Sequence, residues 1–439
     1  MSSRRSYQEP HRVNLWKIPL LLSIAAVAIF LVTYHIDRLD NAGTISLPGW
    51  LHFGGIDDCR ALLGALMGAV STVLALIFSV ALLVISMVAT LFGPRLLYRF
   101  VQDRVTQTTI GLFMATFVYL LLAFLVEQQE GKILFVPQLT TMCSWFFTLV
   151  SFSALVYYSH RIAVSIQNPD MIANIVDDFD AAIVADSRLA RGEGPPPPAD
   201  EVQRQHADGA RFPCGQSGYL QHIDHPALVE AARRAGACVH IPVRPGQYVL
   251  RGEALAHVWP ASSLDALREV LARAIQVGRH RVLDQDVVFG ILQIVEIAIR
   301  ALSPAVNDTF TGVACVDCLG DALASVLHCP PASGNWYDAD GGLRVRHPAV
   351  TFRELVGAAF NNIRQASADT PAVTIRMLSI IARLAPLTRD DTERGALLEQ
   401  ADAIRETAAS GRTVAYDRTH VEQAWTAARA ALTGRSAPE

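Results

Sequence analysis

Lysine is almost missing from this chain: Lys17 and Lys132 are the only two in 439 residues, so arginine supplies nearly all the positive charge. With no lysine beyond residue 132, the larger part of the chain can hold no Walker-type phosphate lysine, no pyridoxal Schiff base and no lipoyl or biotin attachment. Positive charge is not in excess either. The net charge is −4 and no basic aromatic stripe is present, which leaves no case for nucleic-acid binding. The seven cysteines (59, 143, 214, 238, 315, 318 and 329) are odd in number and scattered, which argues against a disulfide framework. Cys315 and Cys318 form a lone CxxC without the further ligands that zinc needs, and they read as two ordinary helix cysteines. No metal site and no cofactor is expected. Gly-x-Ser-x-Gly and His-Glu-x-x-His are both absent, so no enzyme class rises above background.

The most telling absence is charge between Ala61 and Phe92. At ~1.5 Å per residue that run makes a helix of about 48 Å, longer than a hydrocarbon core of about 30 Å. Along it Gly64, Gly68, Ser71, Ala75, Ser79, Ser86, Ala89 and Gly93 recur at helical spacing. At ~100° per residue they form one stripe roughly 80° wide, on which Leu82 is the single large residue. Such a stripe serves as a close helix–helix seam, or, repeated around an oligomer, as the lining of a pore.

Apolar runs at 19–34, 61–92, 106–126 and 133–158 give a four-helix transmembrane domain over residues 1–160, with the first helix an uncleaved span. None of the four runs carries an internal charge, so proton-coupled carrier chemistry has no obvious relay. Residues 37–58 read as a polar loop. The basic segments are the N-terminus, the turn with Pro94, Arg95 and Arg99, and the end of the fourth helix, while 37–58 and 127–132 are acidic. The positive-inside rule then places both termini in the cytoplasm.

Residues 161–212 read as a helix followed by a proline-rich linker, and 213–260 as a small β-rich module with one helix at 226–235. The piece Arg244-Pro245-Gly246-Gln247-Tyr248-Val249-Leu250-Arg251-Gly252-Glu253-Ala254-Leu255 resembles the turn-and-strand pattern of barrel-sandwich (lipoyl-like) modules, without their lysine. Residues 261–439 read as a helical cytoplasmic domain. Its helices are expected near 262–277 (capped by Ser262 with Asp265), 283–302, 309–327, 352–366, 371–385, 391–409 and 419–432, with 330–350 as a connection. The whole is a helical membrane domain followed by a soluble α+β domain.

In the soluble part, Asp286, Gln293, Glu296 and Arg300 share one helix face, and Asn307 or Asp308 caps the next helix. This polar cluster is either a capped turn with an ion pair or a pocket for a ligand or partner subunit. His222-Ile223-Asp224-His225 has no completed metal set and reads as solvated surface.

The stretches Phe92-Gly93-Pro94-Arg95-Leu96-Leu97, Asp103-Arg104, Gly218-Tyr219-Leu220-Gln221, Arg244-Pro245-Gly246-Gln247 and Arg300-Ala301-Leu302-Ser303-Pro304-Ala305-Val306-Asn307-Asp308-Thr309-Phe310-Thr311 resemble the DUF2254 family of predicted bacterial membrane proteins. Thr309 departs from the proline expected there, and the proline-rich linker resembles a local insertion. The resemblance implies a bacterial inner-membrane location and carries no established activity. The expected function is a homo-oligomeric channel or transport-type pore in the lipid bilayer, passing a small ion or ligand, with the second helix at its axis. The competing expectation is a membrane-anchored sensor or scaffold.

Overall fold

The computed structural model describes residues 16–45, 48, 55–92, 104–129, 137–166, 170–189 and 209–434. The chain divides into two units, Met1–Asn168 and Pro169–Glu439.

The first unit holds α1 (Lys17–Asn41), α2 (Ile56–Phe92), α3 (Arg104–Gln129) and α4 (Gln138–Ile166). Each contains a segment long and apolar enough to cross a membrane. α2, at 37 residues, is about 55 Å long. Phe30, Leu63, Val70, Ile77, Phe113, Tyr119 and Leu120 form the core where the four helices meet. Tyr119 sits at its centre, edge-to-face with Phe30 and Phe147 at 5.8 and 5.1 Å, its hydroxyl 2.7 Å from that of Thr33. α1 and α3 approach closely at Gly111, where a Cβ would fall 2.9 Å from the backbone of Pro19.

One expectation is corrected here. Residues 37–41 continue α1 rather than opening a loop, so the first span does carry a charge. Asp37 is 2% exposed. Its carboxylate accepts hydrogen bonds from the backbone N–H groups of Leu139 and Thr140, at 2.8 and 2.9 Å, and from the Thr140 hydroxyl at 2.6 Å. The first N–H groups of a helix have no intrahelical acceptor, and a carboxylate there meets both that need and the helix dipole. α1 therefore caps α4, and the charge that suggested a loop is the cap itself.

The second unit opens with α5 (Asp170–Leu189) and continues through β1 (Ala210–Pro213), β2 (Gly218–Ile223), α6 (His225–Arg234), β3 (Cys238–His240), β4 (Tyr248–Val249) and β5 (Ala254–Trp259). There follow α7 (Leu264–Ala274), β6 (Ile275–Gly278), α8 (Val287–Ala301), α9 (Thr309–His328), β7 (Asn335–Tyr337) and β8 (Leu343–Arg346). The unit ends with α10 (Phe352–Ala366), α11 (Pro371–Leu384), α12 (Asp391–Ser410) and α13 (Ala415–Thr433). The strands make two sheets, β1-β5-β3-β8-β7 and β4-β2-β6, and neither closes into a barrel. Leu220, Ile223, Leu228, Val239, Val258, Leu271 and Val345 fill the space between the sheets and α6 and α7.

Three local readings change. Residues 330–350, expected as a connection, supply β7 and β8, with β8 pairing parallel to β3. The helix expected to reach 277 stops at Ala274, because Ile275–Gly278 pairs with β2. Its expected cap also differs: a short 3-10 turn, Ala261–Ser263, leads into α7, and the Ser263 hydroxyl donates to the Ala235 carbonyl at 3.2 Å.

α9 is also long and apolar enough to span a membrane. In this fold it packs within the second unit against α5, α8 and α11. Asp317 on α9 forms a bidentate ion pair with Arg376 of α11. Gly312 and Gly320 let Leu302 and Ile380 press onto its backbone.

The two classes of glycine in the membrane unit give a direct test. Gly111→Leu forces the α1–α3 contact apart and should cost about 1–3 kcal/mol or more. A Cβ added at Gly68 would meet nothing within 4 Å among the described residues, so Gly68→Leu is expected to be accommodated. Thermal melts of detergent-solubilised monomer should show a loss for the first and none for the second; equal losses would contradict this packing.

Candidate functional site

Two regions were marked by sequence, and the fold treats them differently. On α2, the residues packed into the bundle are Cys59, Leu63, Val70, Ile77 and Ala81. Gly64 is half-buried, and Gly68, Ser71, Ala75, Ser79 and Ser86 are exposed. At ~100° per residue, the centre of this small-residue stripe lies roughly 135° around the helix from the packed side. Neither Gly64 nor Gly68 has any neighbour within 4 Å of where a Cβ would stand. Ser79 returns its hydroxyl hydrogen to the Ala75 carbonyl at 2.9 Å, as a helix serine in an apolar setting does. Leu82, the large residue of the stripe, is exposed as well. The turn carrying Gly93, Pro94, Arg95 and Arg99 lies outside the described residues, as do the side chains of α2 beyond Ser86.

In the second unit the polar cluster resolves into three local structures. Asp286 is not on the face of α8 but is its N-cap, accepting from the Phe289 N–H at 3.1 Å. It is buried and bidentate with Arg281, at 2.7 and 2.8 Å. Gly246, at φ +89°, lies directly against this carboxylate, and any Cβ there would overlap it. The Arg244–Gln247 turn thus docks on the start of α8 through one buried ion pair. Glu296 and Arg300 form a loose i, i+4 pair at 4.0 Å, each about 30% exposed, an arrangement worth little by itself. Gln293 keeps a buried Oε1 with no hydrogen-bond partner among the described residues.

Asn307 takes a left-handed conformation, φ +50°, a position asparagine tolerates better than other residues with a Cβ. Asp308 then caps α9, accepting from the Thr311 N–H at 3.0 Å and the Thr311 hydroxyl at 2.6 Å. The hydroxyl bond, with the backbone bond behind it, holds the Asp308 carboxyl below its ordinary value. The CxxC cysteines sit on α9, where burial pushes the Cys315 thiol up to about 12 and Cys318 upward too. That is the opposite of what a reactive thiol needs.

His225 departs from the reading as solvated surface. It is 3% exposed, stacked on Trp336 with centroids 4.1 Å apart, and its Nε2 lies 3.0 Å from Nε2 of His347. His222 is bonded to Asp284 at 2.8 Å. His347 and Trp336 come from the segment expected to be a connection, more than a hundred residues away, so no spacing in the chain links them to His225.

The fold thus defines a membrane protein with several apolar helices and a mixed helix-and-sheet second unit. The chain belongs to the DUF2254 family, described as predicted membrane proteins, whose profile spans residues 12–383. It is similar to uncharacterized proteins of Mycobacterium bovis and Mycobacterium tuberculosis, 28% identical to each, over 83% of this chain and 69% of theirs. No solved structure matches it.

Burial pushes His225 down to about 2, with the neighbouring imidazoles adding to the effect, and burial also holds His347 below its ordinary value. Both rings are therefore neutral in the folded chain at neutral pH. In the unfolded chain they titrate near ~6.5. As pH falls from about 6.5 to 5, the unfolded chain takes up protons that the folded one refuses, so stability drops with pH. His225 alone contributes a loss of about 2 kcal/mol by pH 5. The melting temperature of the second unit should fall across that window; a flat profile would contradict a neutral, buried His225.

Proposed function

We propose that this membrane protein is the subunit of a homo-oligomeric channel or transport-type pore, with the small-residue face of α2 turned toward neighbouring copies. One observation carries the reading: the stripe Gly64–Gly68–Ser71–Ala75–Ser79 faces away from the packed side of α2, and a Cβ at Gly64 or Gly68 would meet no neighbour within 4 Å among the described residues. In hydrocarbon, helices gain little from burying apolar side chains, and close backbone approach at small residues is the usual source of association. A helix about 55 Å long, more than a bilayer requires, also suits a central element that continues beyond the membrane. The basic Arg104 and Arg161 ends of α3 and α4 support placing both termini in the cytoplasm of a bacterial inner membrane, with the second unit as a regulatory domain.

The second reading is a membrane-anchored sensor. It draws on a cleft of about 340 Å³ in the second unit, bordered by Val326, Pro330, Phe352, Arg353 and Arg389. That volume falls within the range of small-molecule sites.

Planar-bilayer recording of the purified protein across salt gradients separates the two. A pore gives discrete conductances that Ser79→Leu reduces severalfold. Silence from folded, oligomeric protein under every gradient and tension contradicts the pore and leaves the sensor.

A further inference from the structure

The turn between α8 and α9 takes no part in either reading, yet the surface it presents is apolar. Phe310 is 90% exposed, the most exposed large apolar side chain among the described residues, and Val306 is 42% exposed. Pro304 and Ala305 are exposed beside them. Between Arg300 and Asp317 the sequence holds a single charge, Asp308, and its carboxylate is taken up by the Thr311 N–H and hydroxyl.

The backbone of this tip is already hydrogen-bonded within itself. The N–H groups of Val306 and Asn307 donate to the Ser303 carbonyl at 3.1 and 2.9 Å, and that of Asp308 donates to the Ala301 carbonyl at 2.8 Å. Pro304 has no N–H to satisfy. The Ser303 hydroxyl donates to the Arg300 carbonyl at 2.7 Å, and the left-handed Asn307 closes the turn. Backbone groups paired in this way can leave water at little cost, the condition that hydrocarbon imposes on any chain entering it.

We propose that the Pro304–Phe310 tip inserts into the interfacial layer of the lipid bilayer and anchors the second unit to it. The inference rests on the chain being a membrane protein and on neither functional reading. Size favours lipid over a protein partner. An aromatic side chain offers about 150–250 Å², whereas a stable protein interface buries about 800 Å² on each side. A bilayer accepts isolated apolar side chains without a matching surface. Chain length favours it as well. α4 ends at Ile166 and α5 begins at Asp170, so four peptide steps keep the start of the second unit within about 15 Å of the end of a span. A surface on so short a tether is met at high effective concentration, and a small contact suffices to hold it.

The test uses the full-length protein in phosphatidylcholine nanodiscs, with a nitrobenzoxadiazole fluorophore on Phe310→Cys and the labelled parent chain subtracted as background. A second probe on Asp265→Cys, at a side chain 90% exposed, serves as the aqueous reference. Emission from position 310 should be quenched severalfold more by doxyl-labelled phosphatidylcholine than by iodide, with the order reversed at 265. A probe on Val306→Cys should show the same lipid quenching and lose it when Phe310→Asp is added. Iodide quenching without lipid quenching at 310 overturns the anchor, as does lipid quenching at 306 that Phe310→Asp leaves unchanged. Shielding of position 310 from both quenchers puts a second copy or another protein over the tip and overturns it equally.

Discussion

α2 is packed along one side only, and its opposite side carries mostly small residues. That asymmetry constrains everything proposed for the membrane unit. Water-driven burial is weak inside a bilayer, so the four helices are held by shape and by polar ties instead. Gly111 brings α1 against α3, Asp37 caps α4 from α1, and Tyr119 joins three helices through its ring and hydroxyl. A further tie at 2.8 Å joins Thr116 of α3 to Ser151 of α4. Each uses a small or polar residue where it touches another helix. The stripe on α2 has the same composition and faces away from the packed side, which is why a second copy is its proposed occupant.

In the second unit the corresponding anchor is Asp286. A buried carboxylate is stable only when its charge and lone pairs are met, and Arg281 with the Phe289 N–H of α8 meets them. The same carboxylate occupies the space above Gly246, so the turn of the sheet region and the start of the helical layer are held by one group. Asp308 repeats the capping on α9 after the left-handed Asn307.

Much of this was legible in the chain. The apolar runs and the 3.6-residue periodicity located nearly every helix, because both signals are local, though the ends of α1, α4 and α5 lie several residues from where the runs placed them. The Arg244–Gln247 and Arg300–Thr311 motifs were visible, and the fold supplies reasons for two of their residues: a carboxylate against Gly246 and a strained turn at Asn307. What stayed hidden depends on distant partners. Ile275–Gly278 is a strand only because β2 lies beside it, and β8 only because β3 does. Asp37 looked like loop charge because its acceptor role is set by a helix a hundred residues later. His225 looked solvated for the same reason: Trp336 and His347, which lie against it, come from β7 and the residue after β8.

The proposed assembly rests on the outward face of α2, and cysteine cross-linking in native membranes probes that face most directly. Cysteines placed singly at Gly68, Ser71 and Ser79 should form dimers and higher ladders with short bifunctional reagents, above the background of native cysteines. Cysteine at Leu76, exposed but off the stripe, should not. Ladders from Leu76 with monomers alone from the stripe positions would place lipid, and not a second copy, against the small-residue face.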